Sequence, residues 1–547
     1  MALLGTALGQ APERIAAIHS LQPFARPSLQ FDSTGTTALP GETFLEVPSG
    51  LLARPATHQV GWLHDLLTMR HATAIGADQL ALGGEPPQLL LLGTPAAVAA
   101  CEADLAAIEA IVARPIEVTA YWLPLPAGPL PATVWSSTTL QTNLTAAPPR
   151  WTGRARTRAR GGVRLGQERW IGHVYDFDVE AVSATRIDDP KVDAAFAGVR
   201  VGLRVHALER GELVLSGQWL LSEPQALHEV AAGQGQPTLQ LPEHRTLFAS
   251  FAGRIENGGA LAVSGRGGRV GPAEFLLVMS ARYAALEPGQ QVPAEPAGLL
   301  IRHVSAVTDA DTGHTDLPPA FWRLGDDTLP GEDQAPVART FDDARLGSLL
   351  ADATGCPCRV EDGLLLLEDT PASIQHVDTV LRSLLQRELR TLEVRSAVQP
   401  ANGGDSADHQ ELAQPALPGR PVLAFLGHET AAICDYEVEI SQGVSAMNPV
   451  VRGLREGLWT RLELTAANGD PTAWNATGTW VLAAQAPLRV HEHTTVPPGT
   501  IQLADAAMTA FPWDGPIPLG RPLELGDGPP WRAGAAPVQL RVRLQTR

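Results

Sequence analysis

The chain has 547 residues, of which 44% are hydrophobic and 18% charged, and its mean hydropathy is −0.01. That composition is typical of a globular protein and argues against both a disordered chain and a membrane-spanning one. The length predicts roughly three to five domains of ordinary size. The net charge of −18 argues against a nucleic-acid partner, because phosphate binding needs clustered positive charge.

The amino terminus is short, apolar and ends in small residues. Residues 1–11 read MALLGTALGQA, which resembles the tail of a secretory signal that lacks its basic start. The other interpretation, a frayed terminus of a cytoplasmic protein, stays open. No apolar run reaches the roughly 18 residues that a membrane-spanning helix needs, so the sequence predicts no transmembrane helix.

Four cysteines are too few and too unevenly spaced to predict a disulfide framework or a zinc site. Cys356 and Cys358 form a CxC pair, while Cys101 and Cys434 lie far from it. We expect ordinary thiols or one incidental bridge, and the sequence does not decide whether Cys356 pairs with Cys358.

Two stretches of the chain share one pattern. LLLLGTP at 89–95 recurs as LLLLEDTP at 364–371, and an amphipathic helical pattern follows each. The threonine of each Thr-Pro pair predicts a helix cap, and the proline fits the first helical turn. An alternating strand comes next, and the spacing from Pro95 to Glu117 equals the spacing from Pro371 to Glu393. The sequence therefore predicts two copies of one small strand-helix-strand unit.

A second correspondence lies further along the chain, and its residue pairs all have the same separation in sequence. The matched residues are Val174 with Ile433, Asp189 with Asn448, and Gly198 with Gly457. Apolar and polar residues alternate after each glycine, which predicts half-buried antiparallel strands. Trp219 and Trp480 also occupy matched positions, and we expect them to anchor the core.

The two correspondences divide the chain into six predicted parts. In chain order they are an N-terminal segment (1–50), an α/β unit (51–122), a β-rich unit (123–284), a linker rich in Pro, Gly and Asp (285–339), a second α/β unit (340–399) and a second β-rich unit (400–547). The predicted fold class is α+β, with two tandem copies of a small βαβ-type domain followed by an antiparallel β-rich domain. We expect the linker and the polar stretch 400–418 to be the most mobile parts.

These patterns resemble a known family. The leucine strand, the Thr-Pro helix and the strand Ile116-Glu117-Val118 resemble the ring-building domain of bacterial secretins, the outer-membrane channels of type II and type III secretion and of pilus systems. YDFDVE at 175–180, followed by Asp189-Pro190 and Gly198, resembles the start of the secretin-homology region. The resemblance covers roughly two thirds of the chain, in two copies. It implies assembly into multimeric rings and transport of folded protein across an outer membrane.

One feature of a working secretin is missing from the sequence pattern. We find no long alternating strands with flanking aromatic residues, so the sequence does not predict membrane-facing hairpins. The units therefore fit a protein that has kept the fold of the family and lost the pore.

A row of arginines is the candidate binding site. Arg154, Arg156, Arg158 and Arg160 alternate with other residues, so on a strand all four would share one face and form a positive stripe. We consider lipid phosphate, lipopolysaccharide and the acidic surface of a neighbouring subunit as anionic partners for it. The alternative is an ordinary solvated face of a sheet.

Other polar clusters predict no chemistry. Asp309 and Asp311 lie near a turn glycine without the remaining ligands of a calcium loop, and His491 and His493 share one side of a strand without a third metal ligand. The alternating carboxylates that begin at Asp176 fit the polar face of a strand better than a glycosidase pair. Nucleophile-elbow, phosphate-loop and dinucleotide patterns are absent. We expect no cofactor, no bound metal and no enzyme activity.

The leading hypothesis is a secretin-related protein of the cell envelope, in the periplasm or at the outer membrane. It would be a structural or channel-scaffold component of a secretion or pilus-like apparatus. Its partners would be copies of itself or other subunits of that apparatus, with contact to the outer membrane. The alternative is a monomeric periplasmic binding or adaptor protein in which one copy covers surfaces of the other.

Overall fold

A computed structural model defines the structure of most of the chain. The residues described are 15–20, 60–71, 80–83, 88–182, 185–208, 211–231, 238–267, 274–285, 295–308, 323–324, 327–328, 341–401, 409–441, 444–466, 474–486, 488–493, 499–503, 505–528 and 537–546. The predicted signal remnant and the Asp309 to Asp311 turn lie outside these residues.

Antiparallel strands make up most of the described structure, with six helices between them. In chain order the elements are β1 (Ile15–Ser20), α1 (Gly61–His71), β2 (Leu80–Gly83), β3 (Gln88–Gly93), α2 (Pro95–Val112), β4 (Pro115–Leu123), β5 (Val134–Trp135), α3 (Ser137–Ala146), β6 (Trp151–Arg158), β7 (Gly162–Val182), β8 (Thr185–Ala207), β9 (Leu213–Ala231), β10 (Thr238–Ile255), β11 (Ala260–Arg266), β12 (Glu274–Tyr283), β13 (Leu299–His303), α4 (Ser305–Thr308), β14 (Arg323–Leu324), β15 (Asp327–Thr328), α5 (Asp343–Thr354), β16 (Arg359–Glu361), β17 (Leu364–Glu368), α6 (Pro371–Glu388), β18 (Leu392–Pro400), β19 (Gln410–Ala416), β20 (Pro421–Ser441), β21 (Val444–Ala466), β22 (Trp474–Gln485), β23 (Arg489–His493), β24 (Gly499–Leu503), β25 (Ala506–Ile517), β26 (Pro522–Gly528) and β27 (Val538–Thr546). The β-rich character predicted for the fold is therefore confirmed.

Two small sheets carry the longer helices. The first has the order β1-β3-β2 and packs on α1 and α2, while the second has the order β13-β17-β16 and packs on α5 and α6. Helices α2 and α6 both have 18 residues and begin in the same way. The hydroxyls of Thr94 and Thr370 accept the backbone N–H groups of Ala97 (3.3 Å) and Ser373 (3.4 Å), and a proline fills the first turn.

The two large sheets pack face to face around the main cores. The eight-stranded sheet has the order β25-β22-β21-β20-β10-β9-β8-β7. The nine-stranded sheet has the order β26-β27-β18-β19-β11-β12-β4-β6, and β5 pairs with β11 beside that path. One core joins β4 and β12 to β8, β9 and β10, and a second joins β18 and β27 to β21 and β22.

Matched tryptophans lie in these two cores, as the sequence predicts. Trp219 is 1% exposed and packs against Phe251, with 6.4 Å between ring centroids. Trp480 is fully buried, and its indole N–H donates to the Ser396 hydroxyl at 3.3 Å. Each tryptophan thus fixes the packing of the eight-stranded sheet, and Trp480 also joins it to β18.

The eight-stranded sheet contains hairpins that the sequence does not predict. Strands β7 and β20 have 21 residues each, and β8 and β21 have 23, which is about 70 Å at ~3.3 Å per residue. A register shift interrupts both hairpins, between Val174 and Asp176 in one and between Ile433 and Asp435 in the other. The expectation of no long strands is therefore wrong, because acidic residues, proline and these bulges interrupt the alternation that marks a strand in sequence.

Three segments predicted to be irregular contribute strands. Strand β1 lies in the segment 1–50 and pairs with β3, and β13 lies in the linker 285–339 and pairs with β17. Strand β19 lies in the polar stretch 400–418 and pairs with β18 and β11. The composition of these segments does not reveal the pairing, because a strand depends on the partner that it meets in the fold.

Neither a membrane-spanning helix nor a disulfide is found among the described residues. No described helix is both long and apolar enough to cross a membrane. All four cysteines are free thiols, so Cys356 and Cys358 are not bonded to each other. Cys101 lies in the core of the first small sheet, where burial raises the pKa of its thiol to about 11.

Gly457 should tolerate no side chain. It has a φ of +141°, and a Cβ there would clash with the Leu426 carbonyl oxygen of the neighbouring strand. Gly457→Ala should therefore lower the free energy of unfolding by about 2 kcal/mol or more, measured by urea denaturation.

Gly453 in the same strand provides the matched control. A Cβ at this position would meet only the Glu429 carboxylate oxygen, at 3.4 Å, and the backbone φ is not positive. Gly453→Ala should change the free energy of unfolding by less than about 1 kcal/mol. Equal losses in the two variants would contradict the explanation by close strand contact.

Candidate functional site

Titratable side chains gather where the first half of the chain, residues 15–285, meets the second half, residues 295–546. Three of the contacts between the halves lie close to these groups: the helices of the first small sheet against the second small sheet, β10 against β20, and β11 against β19. We call these three contacts together the junction. They place distant parts of the sequence in two continuous sheets and in shared apolar cores.

The second small sheet is covered on both faces. Leu365 and Leu367 pack on its own helices, α5 and α6, whereas Leu364 and Leu366 lie in one core with α1 and α2 of the first half. All four leucines are buried. At the rim of this contact, Arg70 of α1 pairs with Glu368 at 3.0 Å. The first half thus supplies the helices that cover the far face of the second sheet.

His303 is the titratable group enclosed by this contact. Its Nε2–H donates to the carbonyl of Ile111, at the end of α2, with a distance of 3.2 Å. Its Nδ1 is buried without a hydrogen-bond partner among the described residues. Burial lowers the pKa of His303 from 6.5 to about 4, so the imidazole is neutral at neutral pH.

The contact between β10 and β20 carries a histidine and glutamate cluster. The strands pair from Glu243 with Thr430 to Ala249 with Ala424. The Glu243 carboxylate accepts hydrogen bonds from Nε2 of His428, at 2.7 Å, and from Nε2 of His228. Partial burial opposes the ionisation of Glu243, but the two imidazoles outweigh it, so the pKa of Glu243 lies below its ordinary value.

The contact between β11 and β19 lies beside a buried carboxylate. Glu393 is fully buried in β18 and accepts hydrogen bonds from the backbone N–H and the hydroxyl of Thr133, at 3.0 and 3.1 Å. Arg395 pairs with Glu393 and donates to the carbonyls of Leu130 and Pro131 at 3.0 and 3.1 Å. A loop of the first half and Arg395 of the second half therefore together satisfy this buried carboxylate.

The structure brings together three of the four predicted stripe arginines. Arg154 and Arg156 are exposed on β6, and Arg158 is half-buried on the same face of that strand. Strand β6 is the last strand of the nine-stranded sheet, and β4 is its paired neighbour among the described strands. The exposed positive charge therefore lies on a sheet edge.

Arg160 does not belong to the stripe, so that part of the prediction is wrong. The strand ends at Arg158, and Arg160 lies in the following turn with a φ of +65°. Its guanidinium pairs with the carboxylate of Asp362 at 3.1 Å, in the turn between β16 and β17. The sequence does carry a signal for this turn, because Arg160 is followed directly by Gly161 and Gly162, and paired glycines mark turns.

The histidines considered as a weak metal pair lie apart from the junction. His491 is exposed on β23, which pairs with β24 in a separate two-stranded hairpin. Within the described ranges, no group of three or more His, Cys, Asp or Glu side chains is arranged to hold a metal ion. Asp176, the first of the alternating carboxylates, lies opposite Lys191 in the β7–β8 hairpin.

Comparison with known proteins adds structural neighbours and no sequence relatives. No family model matches the chain, and no curated protein sequence matches it. The chain is similar to the InvG secretin domain β-barrel from the Salmonella SPI-1 injectisome, with 10% identity, 51% of this chain and 90% of that chain covered, and a TM-score of 0.24. It is also similar to the type IV competence pilus secretin PilQ of V. cholerae, with 10% identity, 50% and 78% covered, and a TM-score of 0.21.

The neutral state of His303 predicts a pH dependence of stability. Below about pH 6.5 the unfolded chain binds a proton on this histidine, whereas the folded chain binds it only near pH 4. Stability is therefore lost as the pH falls from about 6.5 to about 4, by about 3 kcal/mol from this group. His303→Gln should lack this component, because Gln does not titrate, and urea denaturation across that pH range measures it.

His491→Gln is the matched control, because His491 is exposed on a strand outside the junction. It should keep the pH dependence of the wild-type chain. The account of a buried neutral imidazole is wrong if the wild-type and His303→Gln chains lose stability in parallel between pH 6.5 and pH 4.

Proposed function

We propose that the protein is a secretin-related component of the cell envelope, a structural or channel-scaffold subunit of a secretion or pilus-like apparatus. The observation that carries this proposal is the eight-stranded sheet of long hairpins. Its outer strands, β7 and β25, each pair with one neighbour among the described strands. A strand edge that lacks a paired neighbour is a template for pairing with another chain, so these edges suit a protein that assembles from many subunits.

Two tandem copies would explain the symmetry of the chain, and this also is a proposal. The two small sheets have the same strand order, and α2 and α6 have the same length. The bulges of the two long hairpins have the same separation in sequence as Gly198 and Gly457, and both glycines have a positive φ. Each copy would comprise one small unit and four strands of the eight-stranded sheet.

The junction itself gives the alternative function its support. Inside one chain, the helices of the first half already cover the far face of the second small sheet. In a monomeric periplasmic binding or adaptor protein, each half would cover a surface of the other half. That surface would otherwise be covered by a neighbouring subunit of a ring. The two functions differ in the mass of the protein in solution.

The purified chain should form assemblies many times larger than its own 57.9 kDa. Light scattering coupled to size exclusion, with and without detergent, measures this mass. A single species of 57.9 kDa at every concentration would overturn the scaffold proposal and favour the adaptor.

We propose the acidic edge of a neighbouring subunit as the anionic partner of Arg154 and Arg156. The opposite edge of the same sheet is β26, which carries the exposed carboxylate of Asp527 and that of Glu524, the second of which pairs with Arg541 at 3.1 Å. An edge with exposed arginines and an edge with carboxylates are complementary when chains meet side by side. Lipid phosphate is the competing partner.

The double variant Arg154→Gln, Arg156→Gln should raise the concentration needed for half-assembly by about threefold or more at low salt. The difference should shrink in high salt, because exposed charges are screened. Arg489→Gln, which removes an exposed arginine on the β23–β24 hairpin, should assemble like the wild type. Unchanged assembly with lost sedimentation on anionic vesicles would instead identify lipid phosphate as the partner.

A further inference from the structure

The first small sheet has an apolar face with no cover among the described residues. Ile18 of β1 is 66% exposed and Leu90 of β3 is 40% exposed, and the register places them opposite each other. Leu89 and Leu91, which lie on either side of Leu90 in β3, are buried against α1 and α2. Grouped exposed apolar side chains of this kind mark an interaction surface.

The same face of the second small sheet is buried. In each small sheet, one leucine of the central strand faces the helices of its own unit. This residue is Leu91 in the first sheet, where it pairs with β1, and Leu367 in the second sheet, where it pairs with β13. Counted from those pairs, Ile18 corresponds to Ile301 and Leu90 to Leu366. Ile301 is 1% exposed and Leu366 is 5% exposed.

The cover over Ile301 and Leu366 comes from the first half. Both residues lie in one core with α1 and α2, which the preceding small unit contributes. One surface is therefore present twice in the chain. Helices of the first half cover it in the second half, whereas in the first half none of the described residues covers it.

The helices show the complementary difference. By the alignment of their leucines, Leu63 and Leu67 of α1 correspond to Leu346 and Leu350 of α5, and all four are buried. Between them, Leu66 is 2% exposed and lies in the core shared with the second sheet, whereas its counterpart Leu349 is 42% exposed. The helix surface that is covered in the first half is thus bare in the second.

We propose that the bare sheet face of one chain, with Ile18 and Leu90, binds the bare helix surface of a second copy of this chain at Leu349. The contact repeats, between chains, the contact that the junction makes within one chain. This proposal rests on the scaffold function above and specifies its subunit interface. Each chain then fills two successive positions of the assembly.

The large sheets give the same direction of assembly. In the eight-stranded sheet the first half pairs through β10 and leaves β7 at the edge, while the second half pairs through β20 and leaves β25 at the edge. The second half of one chain therefore faces the first half of the next in this sheet too. Such a head-to-tail contact closes into a ring when the rotation per subunit divides a full turn.

The junction also predicts the register between chains. Within the chain, Leu247 of β10 lies opposite Leu426 of β20. Trp219 lies opposite Ala249 of β10, and its matched residue Trp480 lies opposite Phe511 of β25. Ala249 and Phe511 therefore occupy corresponding positions. Counted back from Ala249 and Phe511, the counterpart of Leu247 is Thr509.

The long hairpins locate the second residue of this pair, the counterpart of Leu426. The β-bulge of each long hairpin follows Val174 in β7 and Ile433 in β20. These two residues therefore occupy corresponding positions. Counted back from them, the counterpart of Leu426 is Gln167. Thr509 of one chain should therefore lie opposite Gln167 of the next.

The first test places a charge on each bare surface. Ile18→Asp and Leu349→Asp should each raise the concentration for half-assembly by at least about tenfold, because each buries a carboxylate in an apolar contact. Val490→Asp is the matched control, since Val490 is 62% exposed on the β23–β24 hairpin. It should assemble like the wild type, and circular dichroism should show that all three variants are folded.

Mixing the two variants tests the direction of the contact. Each variant keeps the surface that the other has lost, so an equal mixture should form dimers at concentrations where either variant alone stays at 57.9 kDa. If the wild-type chain assembles and Ile18→Asp and Leu349→Asp assemble as well as Val490→Asp, this interface is wrong while the scaffold function stands. If the wild-type chain never assembles, the scaffold function fails first.

A pair of introduced cysteines tests the register between β25 of one chain and β7 of the next. This test does not depend on disrupting the contact. Gln167→Cys with Thr509→Cys should give a ladder of disulfide-linked multimers on oxidation, seen on a non-reducing gel. Each single substitution should give no ladder and no dimer beyond the wild-type background of its four native thiols. Efficient dimers from either single variant would indicate symmetric pairing of like edges and would overturn the head-to-tail contact.

Discussion

The pairing of β10 with β20 is the contact on which the architecture depends. It joins strands that are far apart in sequence, from Glu243 with Thr430 to Ala249 with Ala424, into one antiparallel sheet. Leu247 and Leu426 at its centre are fully buried, so the hydrogen-bonded seam is also part of the main core. Without this pairing the eight-stranded sheet would be two four-stranded sheets with two more open edges.

Polar groups make this union of the two halves specific. Glu393 is fully buried and accepts two hydrogen bonds from Thr133 of the other half, and His303 donates to Ile111 across the small-sheet contact. A buried carboxylate or imidazole that lost its partner would be costly, whereas an apolar contact could slide. The apolar cores hold the halves together, and these few polar contacts fix their relative position.

Two pairs of matched residues, Glu117 with Glu393 and Ile18 with Ile301, have different environments in the two halves, and the difference has the same cause in both pairs. Glu117 is partly exposed and pairs with Arg282, while Glu393 is buried beside the junction. Ile18 is exposed, while Ile301 is covered by helices of the preceding unit. In each pair the residue of the second half has a neighbouring unit before it in the chain, and the residue of the first half does not. The bare surfaces of the small units are therefore the ones that a further unit would cover.

The sequence by itself determined the local features of this protein. Thr94 and Thr370 cap helices, and Trp219 and Trp480 lie in the cores, because a cap or a large apolar side chain acts through its immediate neighbours. The constant separation of matched residues also located Gly198 and Gly457 at corresponding positions of two long strands.

Only the tertiary structure decided which strands meet and in what register. Counted from the start of each leucine run, Leu91 matches Leu366, yet Leu91 and Leu367 are the residues that pack on the helices of their own units. Strand β13 and the length of β7 were equally hidden, and so was the pairing of Arg160 with Asp362. Each of these depends on hydrogen bonds or charges between residues distant in sequence, and a pattern of neighbouring residues carries no record of such partners.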